Sequence, residues 1–431
     1  MEMSLGGAPS RSVLLAGCIL LAAVLIFEAC ELWLEDRWVD SQRLSTVERA
    51  ARLIPSDAKA WDNLGRLRQW NLVHPDLPGA IQDYRRALRN DPRSAHYWMD
   101  LASAEEASGD DSAANDAFVH AVSVYPDSAE VAFYFGNFLL RQGRYQAAYT
   151  QLRRAVSGDP SFLPLAISRA WQATGDASQI IDRLLPPDAN SYTQAIDYFA
   201  SIQQCDAALA VWSRLASSQK PVPAAATFPL LDELIREDRS ADARRVWLQS
   251  VFGVNRPDTG WPDSSAVWNG DFAKNLSGGG LGWRWNPLRG VYLSFEAAPQ
   301  QSGVRALRLD FNGGSNVDLS APYQYVPVEA GQLYHFHALM RTNGITTESG
   351  LRFSISDPNH PGAVNVVTDN FIGTHAWTPV DADVMTGPDT HFLLLRLIRP
   401  PSRLFDNKLA GTVWIADVSL VPVRSSAESH P

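Results

Sequence analysis

Residues 80–92, AIQDYRRALRNDP, recur in altered form at 114–126, ANDAFVHAVSVYP, and at 148–160, AYTQLRRAVSGDP. The copies are 34 residues apart, and four columns keep their character through all three: Ala80, Ala114 and Ala148; Tyr84, Phe118 and Leu152; Ala87, Ala121 and Ala155; Pro92, Pro126 and Pro160. Small residues let two helices approach closely, the larger apolar residue fills the space between them, and proline cannot continue a helix. A fixed period of this length predicts a solenoid of stacked helix pairs.

Further residues upstream extend the pattern of each copy. In each copy an aromatic residue is followed, one to four positions later, by a glycine or an alanine. The sets are Trp61 with Leu64 and Gly65, Trp98 with Leu101 and Ala102, and Phe135 with Gly136. This order resembles the tetratricopeptide repeat, W-x-x-L-G followed by A-x-x-x-F-x-x-A and a proline. The spacing returns more weakly at Ala208 with Trp212 and at Ala243 with Trp247, so we predict one all-α solenoid over residues 45–252. The resemblance implies a concave groove that binds a partner protein, and a passive spacer is the alternative.

An unbroken apolar or small run, VLLAGCILLAAVLIF at 13–27, dominates the N-terminus. A helix of this length spans about 22 Å, against about 30 Å for the hydrocarbon core, and flanking residues nearly close the gap. A cleaved signal peptide fits less well because no small-x-small pair precedes Cys30, and the LAGC of a lipoprotein signal has too short an apolar stretch before it. A buried helix of a soluble protein is the fourth interpretation. We predict an uncleaved transmembrane signal anchor at 13–34.

The charges on either side of this run set its predicted orientation. Arg11 precedes it, whereas acidic residues dominate the stretch that follows, ELWLEDRW. Basic residues favour the cytoplasmic side of a membrane. Residues 1–12 are therefore predicted to be cytoplasmic and the bulk of the chain periplasmic, in a single-pass protein of a bacterial inner membrane.

Composition excludes some functions. The formal net charge of -10 argues against a nucleic-acid partner, whose phosphates favour a basic protein face. Three cysteines, Cys18, Cys30 and Cys205, are too few and too scattered for a disulfide framework or a zinc cluster. Hydrophobic residues at 45% and charged residues at 19% are typical of a globular protein with a substantial core.

The second half of the chain changes character after a stretch rich in proline and glycine, GVNRPDTGWPDSSAV, so residues 253–266 are predicted to be a linker. Alternating or continuous apolar segments with turn signals between them follow at 306–311, 334–340, 351–356, 391–398 and 412–423. This pattern predicts an all-β antiparallel sandwich, a jelly roll, over residues 267–424. Residues 425–431 are predicted to be a disordered tail.

Motifs in this half keep a characteristic order: NGDF at 269–272, GWRW at 282–285, GTHAWTPV at 373–380 and WIADVSL at 414–420. Over residues 267–423 this order resembles the galactose-binding-like jelly rolls of carbohydrate-binding modules. The resemblance implies a sugar site and often a structural calcium ion, for which Asp271 and Asp417 are the candidates. However, Ala273 and Ala416 stand where the family often has further acids, and calcium takes six to eight oxygen ligands.

Aromatic side chains are the natural platforms for a sugar, because its flat C–H faces stack on rings while polar side chains bond the hydroxyls. The candidate platforms are Trp283, Trp285, Tyr292 and Trp377. The candidate polar partners are Asn286, Gln324, Arg341, Asp406 and Asn407. A sandwich also needs buried aromatic residues, so a place in the core is the competing interpretation for each ring.

Patterns that carry chemistry are sparse. SGGGLGW at 277–283 lacks the strand–turn–helix context and the G-K-[ST] of a phosphate-binding loop. His335 and His337 project from one face of a strand and could ligate a metal, but no third ligand is evident and a solvated face is favoured.

We therefore predict a non-catalytic, membrane-anchored adaptor of the cell envelope. It would bind a protein partner in the solenoid groove and a polysaccharide on the sandwich, as in exopolysaccharide assembly or export. The alternatives are a protein–protein assembly factor whose sandwich binds no sugar, and a glycan-active enzyme.

Overall fold

A computed structural model describes residues 8–218, 223–253, 265–297 and 305–423. The chain forms two compact units, unit 1 (Met1–Leu185) and unit 2 (Pro186–Pro431). This division falls inside the range 45–252 that was predicted as one solenoid. Most of the predicted linker and the whole of the predicted tail at 425–431 lie outside the described residues.

Unit 1 is helical. Its helices are α1 (Ala8–Val39), α2 (Leu44–Leu53), α3 (Ala58–Gln69), α4 (Leu77–Asn90), α5 (Ala95–Ala107), α6 (Asp111–Val124), α7 (Ala129–Arg141), α8 (Tyr145–Gly158), α9 (Leu163–Thr174) and α10 (Ala177–Gln179). A 3-10 turn lies at Pro160–Phe162 and a π turn at Ile180–Leu184. The predicted anchor, residues 13–34, lies within α1. Among the residues described, no helix combines the length and the apolar character needed to cross a membrane.

The repeat columns of unit 1 are buried, as the period predicts. The alanines at 80, 87, 114, 121, 148 and 155 are all fully buried between helices. The glycines upstream face the larger apolar residue of the partner helix. A Cβ on Gly65 would lie 2.7 Å from Cε1 of Tyr84, and a Cβ on Gly136 would lie 2.8 Å from Cγ of Leu152. The helices of a pair are therefore too close for a side chain at these positions.

Polar caps and prolines determine where these helices begin. Side-chain oxygens accept a backbone N–H in the first turns of α3 to α7, and they belong to Asp57, Asp76, Ser94, Asp110 and Ser128. The indole of Trp61 donates to the carbonyl of Pro55, and that of Trp98 donates to the carbonyl of Pro92, both at 3.0 Å. Each bond ties the first turn of a helix to the chain that enters it.

Unit 2 contains helices and strands that share a core. The helices are α11 (Ala189–Ser201), α12 (Cys205–Ser217), α13 (Phe228–Arg236) and α14 (Ser240–Phe252), with a 3-10 turn at Ala224–Thr227. Trp247 of α14 is 1% exposed, and its ring centroid lies 5.8 Å from that of Trp268, edge to face. The amide of Asn359 donates to the carbonyl of Ile235 at 2.9 Å. These contacts hold α13 and α14 against the strand-rich part of unit 2, residues 265–423, which we call the β-domain.

The strands are β1 (Val291–Ala297), β2 (Arg305–Asn312), β3 (Tyr323–Pro327), β4 (Leu333–Ile345), β5 (Arg352–Ser356), β6 (Asn365–Val367), β7 (Gly373–Met385), β8 (Phe392–Ile398) and β9 (Ala410–Pro422). They form a five-stranded sheet, β1-β2-β9-β4-β7, and a four-stranded sheet, β3-β8-β5-β6. All pairings between them are antiparallel. Inward residues of both sheets, such as Phe336 and Phe353 with ring centroids 5.0 Å apart, fill one core. The β-domain is thus the predicted antiparallel sandwich.

A buried carboxylate supports the loops at one end of the sandwich. Asp357 accepts the Thr390 hydroxyl at 2.6 Å and the backbone N–H groups of Asn359 and His360, both at 2.8 Å. Burial alone would raise the pKa of Asp357, but the hydrogen bond from Thr390 and those from the backbone outweigh burial and lower that pKa. The ionised form of Asp357 is therefore the one that fits this fold.

Candidate functional site

The helices α3, α5, α7 and α9 of unit 1 line a cavity of about 590 Å³, which we call the groove. Its apolar lining includes Met99, Phe133, Tyr134 and Leu165. Tyr134 is half exposed, whereas Phe133 is buried and its ring stacks on Phe162 with centroids 4.7 Å apart. Such a lining offers rigid aromatic surface to a ligand without the entropic cost of ordering flexible side chains.

Charged and amide groups interrupt this apolar lining. The charged groups of the groove are Arg66, His96, Asp100, Glu106, Glu130, Arg141 and Arg169. Arg141 donates to both carboxylate oxygens of Glu106, at 2.6 and 2.7 Å. The side-chain carbonyl oxygen of Asn137 is buried and accepts no hydrogen bond within the described structure. A buried amide in this state can accept a backbone N–H from an extended peptide.

Two carboxylates meet at the α3 end of the groove. Asp62 of α3 is only 3% exposed, and Asp100 of α5 lies beside it. Burial, and then the nearby Asp100 charge, raise the pKa of Asp62 to about 8. The Tyr84 hydroxyl next to this pair donates to Gln69 at 2.8 Å.

The second surface is the solvent-facing side of the five-stranded sheet, which we call the outer face. The strand registers place its side chains in rows that cross β1, β2, β9 and β4. One row is Tyr292, Asp310, Thr412 and Asn343, and the next is Ser294, Arg308, Trp414 and Arg341. Alternation along each strand puts these residues opposite the buried ones.

Trp414 is the centre of the outer face. The guanidinium carbon of Arg341 lies 4.7 Å from its ring centroid and that of Arg308 lies 5.4 Å away. The indole N–H donates to Glu296 at 2.8 Å. Hydrogen bonds from Arg308 and from the Trp414 indole lower the pKa of Glu296. Together with apolar neighbours that include Trp377 and Leu339, the two arginines leave Trp414 only 9% exposed.

Two predicted sugar contacts are buried in the structure. Trp283 is 2% exposed, packs in the sandwich core and donates its indole N–H to the carbonyl of Asn269 at 3.2 Å. Gln324 is fully buried, and its amide exchanges two hydrogen bonds with the backbone of Trp268, at 2.9 and 2.8 Å. Neither side chain presents a free face to a ligand. For the Trp283 ring the structure thus supports the competing interpretation, a place in the core, and Gln324 is held by the backbone of Trp268.

The other predicted contacts are distributed over several places. Trp285 is half-buried against the sandwich core, and Asn286 beside it is exposed. Asp406 and Asn407 lie in the loop between β8 and β9. The remaining three lie on the outer face, with Tyr292 on β1 at one edge of the sheet and Arg341 and Trp377 on β4 and β7 toward the other edge, where Trp377 packs with Trp414. The structure therefore gathers only this last group around one surface.

The predicted calcium residues do not form a cluster of ligands. Asp271 and Asp417 are both exposed, and one carboxylate oxygen of Asp271 accepts the N–H of Ala273 at 3.1 Å. Over the described part of the chain, no third histidine, cysteine or acidic side chain joins them within ligand distance. Calcium takes six to eight oxygen ligands, so a site here would have to draw on backbone carbonyl oxygens as well, and the calcium ion stays a prediction of the sequence.

The histidine pair on β4 is engaged by acids on β7. His335 Nδ1 lies 2.9 Å from Asp383, and His337 Nδ1 lies 2.7 Å from Asp381. The hydrogen bond to Asp383, with the charge of Asp381, raises the pKa of His335. All four side chains are substantially exposed, so the favoured interpretation of a solvated face agrees with their positions.

The comparisons bear on the groove. A model of the tetratricopeptide repeat matches residues 76–118 and 108–161. Residues 76–161 are tetratricopeptide repeats. Such repeats are protein-binding scaffolds. This match confirms the repeats that were predicted from the 34-residue period.

Several solved structures are similar to the chain. MamA is 15% identical, with 40% of this chain and 85% of that chain covered and a TM-score of 0.27. PilF of Pseudomonas aeruginosa is 17% identical, with 40% and 82% covered and a TM-score of 0.29. YrrB, described as a TPR protein with an unusual peptide-binding site, is 18% identical, with 46% and 81% covered and a TM-score of 0.25. No curated protein matches the chain.

The sequence analysis did not identify some residues of the groove and of the outer face. Trp414 sits in the quoted motif WIADVSL, and its place between inward Val413 and Ile415 was a signal that it faces outward. Asp62 and Asp100 gave no such signal, because they come together only when α3 packs beside α5 of the next tetratricopeptide repeat.

Proposed function

We propose that the chain is a non-catalytic adaptor whose tetratricopeptide repeats hold an extended segment of a partner protein in the groove. The observation that carries the proposal is the groove itself: about 590 Å³, lined by aromatic rings, paired charges and a buried amide oxygen that lacks a donor. Asn137 can bond a peptide N–H, while Phe133 and Tyr134 contact its side chains. The predicted membrane anchor and periplasmic location stay predictions of the sequence.

Site-specific photo-crosslinking tests this proposal in the full-length chain. A photoreactive residue replaces Tyr134 in the groove or, as a control, the half-exposed Val119 of α6. We expect a crosslinked partner from position 134 only. The identified partner segment, as a synthetic peptide, should then bind about 5- to 30-fold more weakly to Tyr134→Ala and Asn137→Ala than to the parent chain, a loss of about 1–2 kcal/mol each. Equal crosslinking from both positions, or unchanged peptide affinity, would refute the proposal.

The outer face supports a second candidate function, the binding of an acidic polysaccharide. Arg341 is exposed beside Trp414, and Tyr292 is 64% exposed in the adjacent row. On a polysaccharide that crosses the sheet from β4 to β1, the Arg341 guanidinium can bond the carboxylate of one uronate in a bidentate manner while the ring of another residue stacks on Tyr292. Arg308 is already engaged by Asp310 at 2.8 Å, so Arg341 is the arginine available to a ligand.

Binding of neutral and uronate-containing polysaccharides to the full-length chain tests this second function. The variants are Arg341→Ala and Tyr292→Ala, and the control is Arg352→Ala on β5 of the other sheet. We expect binding of the acidic polysaccharide alone, lost at least tenfold in the first two variants and retained in the control. An absence of binding by the parent chain, or equal losses in all three variants, would refute polysaccharide binding by the outer face. The adaptor function of the groove would not be affected.

A further inference from the structure

The carboxylate pair of unit 1 has a third partner that the peptide groove does not require. His96 and Asp100 are four residues apart on α5, so they lie on the same side of that helix. His96 Nε2 lies 3.4 Å from Oδ2 of Asp100. One ligand atom from each of Asp62, His96 and Asp100 lies within 4.8 Å of the other two. Two helices thus bring a nitrogen and two oxygen donors to one point.

Among the residues described, the pair receives no donor from other side chains or from the backbone. Oδ1 of Asp62 and Oδ2 of Asp100 are both shielded from solvent and accept no hydrogen bond from another group of the described structure. A hydrogen bond between the two carboxyl groups themselves requires a proton on Asp62. Asp62 as a whole is only 3% exposed. A buried acceptor without a donor is strongly unfavourable, and two facing carboxylates repel each other as well. A positive centre between them, either a proton or a cation, would remove both penalties.

The neighbouring basic group does not fill this role. Arg66 Nε is 4.0 Å from Oδ2 of Asp100 and makes no hydrogen bond to it, and the Arg66 side chain is half exposed. The Tyr84 hydroxyl is directed to Gln69 instead, at 2.8 Å. The position between the carboxylates is therefore open to a shared proton or to an external cation that displaces it.

We propose that Asp62, His96 and Asp100 form a binding site for one divalent transition-metal ion of the Zn²⁺ type. Imidazole nitrogen and carboxylate oxygen are both zinc ligands, with bonds of about 2.0–2.2 Å, and three protein ligands leave a fourth position open. His96 and Asp100 also line the groove, so the proposed site lies at its edge. Magnesium suits the site less well, because it prefers oxygen ligands and retains its waters.

Two other groups complicate the measurement and determine its design. Cys205, Glu233 and Glu237 of unit 2 also lie within 4.8 Å of one another. The exposed His335 and the half-buried His337 on β4 could take up zinc at high concentration. The titration therefore uses a full-length parent chain that carries Cys205→Ser and His335→Ala, from which metal has been removed by a chelator.

Isothermal titration of this parent chain with ZnCl2, and separately with MgCl2, is the test. We expect the parent chain to bind one equivalent of zinc and to release or absorb no heat of binding with magnesium. His96→Ala and Asp100→Asn should each weaken zinc binding at least tenfold, because each removes one ligand. Glu106→Gln, a groove carboxylate outside the cluster, is the matched control and should bind zinc as the parent does. His96 is half exposed, so its variant is expected to fold even where Asp100→Asn does not.

X-ray absorption of the zinc-loaded chain gives an independent readout, namely one imidazole nitrogen and oxygen neighbours at about 2.0–2.2 Å, with no sulfur. Zinc affinity that is the same in His96→Ala as in the parent would overturn the proposal. So would an absence of zinc binding at neutral pH, which would indicate that a proton occupies the position between the two carboxylates.

Discussion

The tight approach of Gly279 to Phe228 gives a quantitative test of how α13 is held against the β-domain. A Cβ on Gly279 would lie 2.2 Å from Cδ2 and 2.5 Å from Cε2 of the Phe228 ring, closer than atoms can approach. Overpacking of this kind typically costs about 1–3 kcal/mol, while alanine recovers about 0.4–1 kcal/mol by restricting the unfolded chain. We expect Gly279→Ala to destabilise unit 2 by about 1–2 kcal/mol.

A double-mutant cycle isolates this contact. In a Phe228→Ala background the ring is absent, so Gly279→Ala should no longer be destabilising. Gly278→Ala is the matched control: its φ is +76°, and nothing lies within 4 Å of its added Cβ. Its left-handed strain of about 1–2 kcal/mol should be the same with or without Phe228.

Hydrogen exchange with mass spectrometry suits a chain of two units, because it reports the opening free energy of each segment separately. Peptides from 265–423 should lose protection in Gly279→Ala, and peptides from 95–141 in unit 1 should not. An equal cost of Gly279→Ala in both backgrounds would refute the contact between α13 and the β-domain.

Three further predictions concern packing and protonation. Gly136→Ala should destabilise unit 1 by about 1–2 kcal/mol in urea unfolding, because its Cβ would meet Leu152 at 2.8 Å; a stabilised variant would contradict the close helix approach. The imidazole of His335 should titrate by NMR above 6.5 in the parent chain and fall toward that value in Asp383→Asn, so its stabilising effect is present at low pH and is lost as pH rises through the raised pKa. Because the pKa of Asp357 is lowered in the fold, it stabilises unit 2 above about pH 4 and that contribution disappears on acidification. Asp357→Asn should therefore be less stable at pH 7 and show a shallower loss of stability toward pH 2, and an unchanged acid slope would contradict this role.

The helical repeats were predictable because each one carries the same local pattern. Ala80, Tyr84 and Ala87 recur at a fixed spacing, and a helix pair needs only near neighbours in sequence to form its contact. The strands were predictable from alternation for the same reason. Both inferences depend on periodicity, which a sequence displays directly.

The details of the surfaces could not be predicted in the same way. Trp283 and Trp377 have the same side chain, yet one is in the core and the other packs beside Trp414 on the outer face. The packing of α13 and α14 on the sandwich, through Trp247, has no repeat or alternation behind it. Likewise, Asp62 and Asp100 meet only through the stacking of one helix on another. Such contacts join residues distant in sequence, and a single sequence carries no direct record of them.

The indole bonds of Trp61 and Trp98 bear on how the array could grow. Each indole bonds a proline carbonyl six positions earlier, so both partners belong to the same short stretch of chain. An in-frame duplication of one whole period would therefore copy the donor together with its acceptor. The junction between the old and the new repeat would need no compensating substitution at this bond, so the bond itself does not oppose a change in the number of repeats.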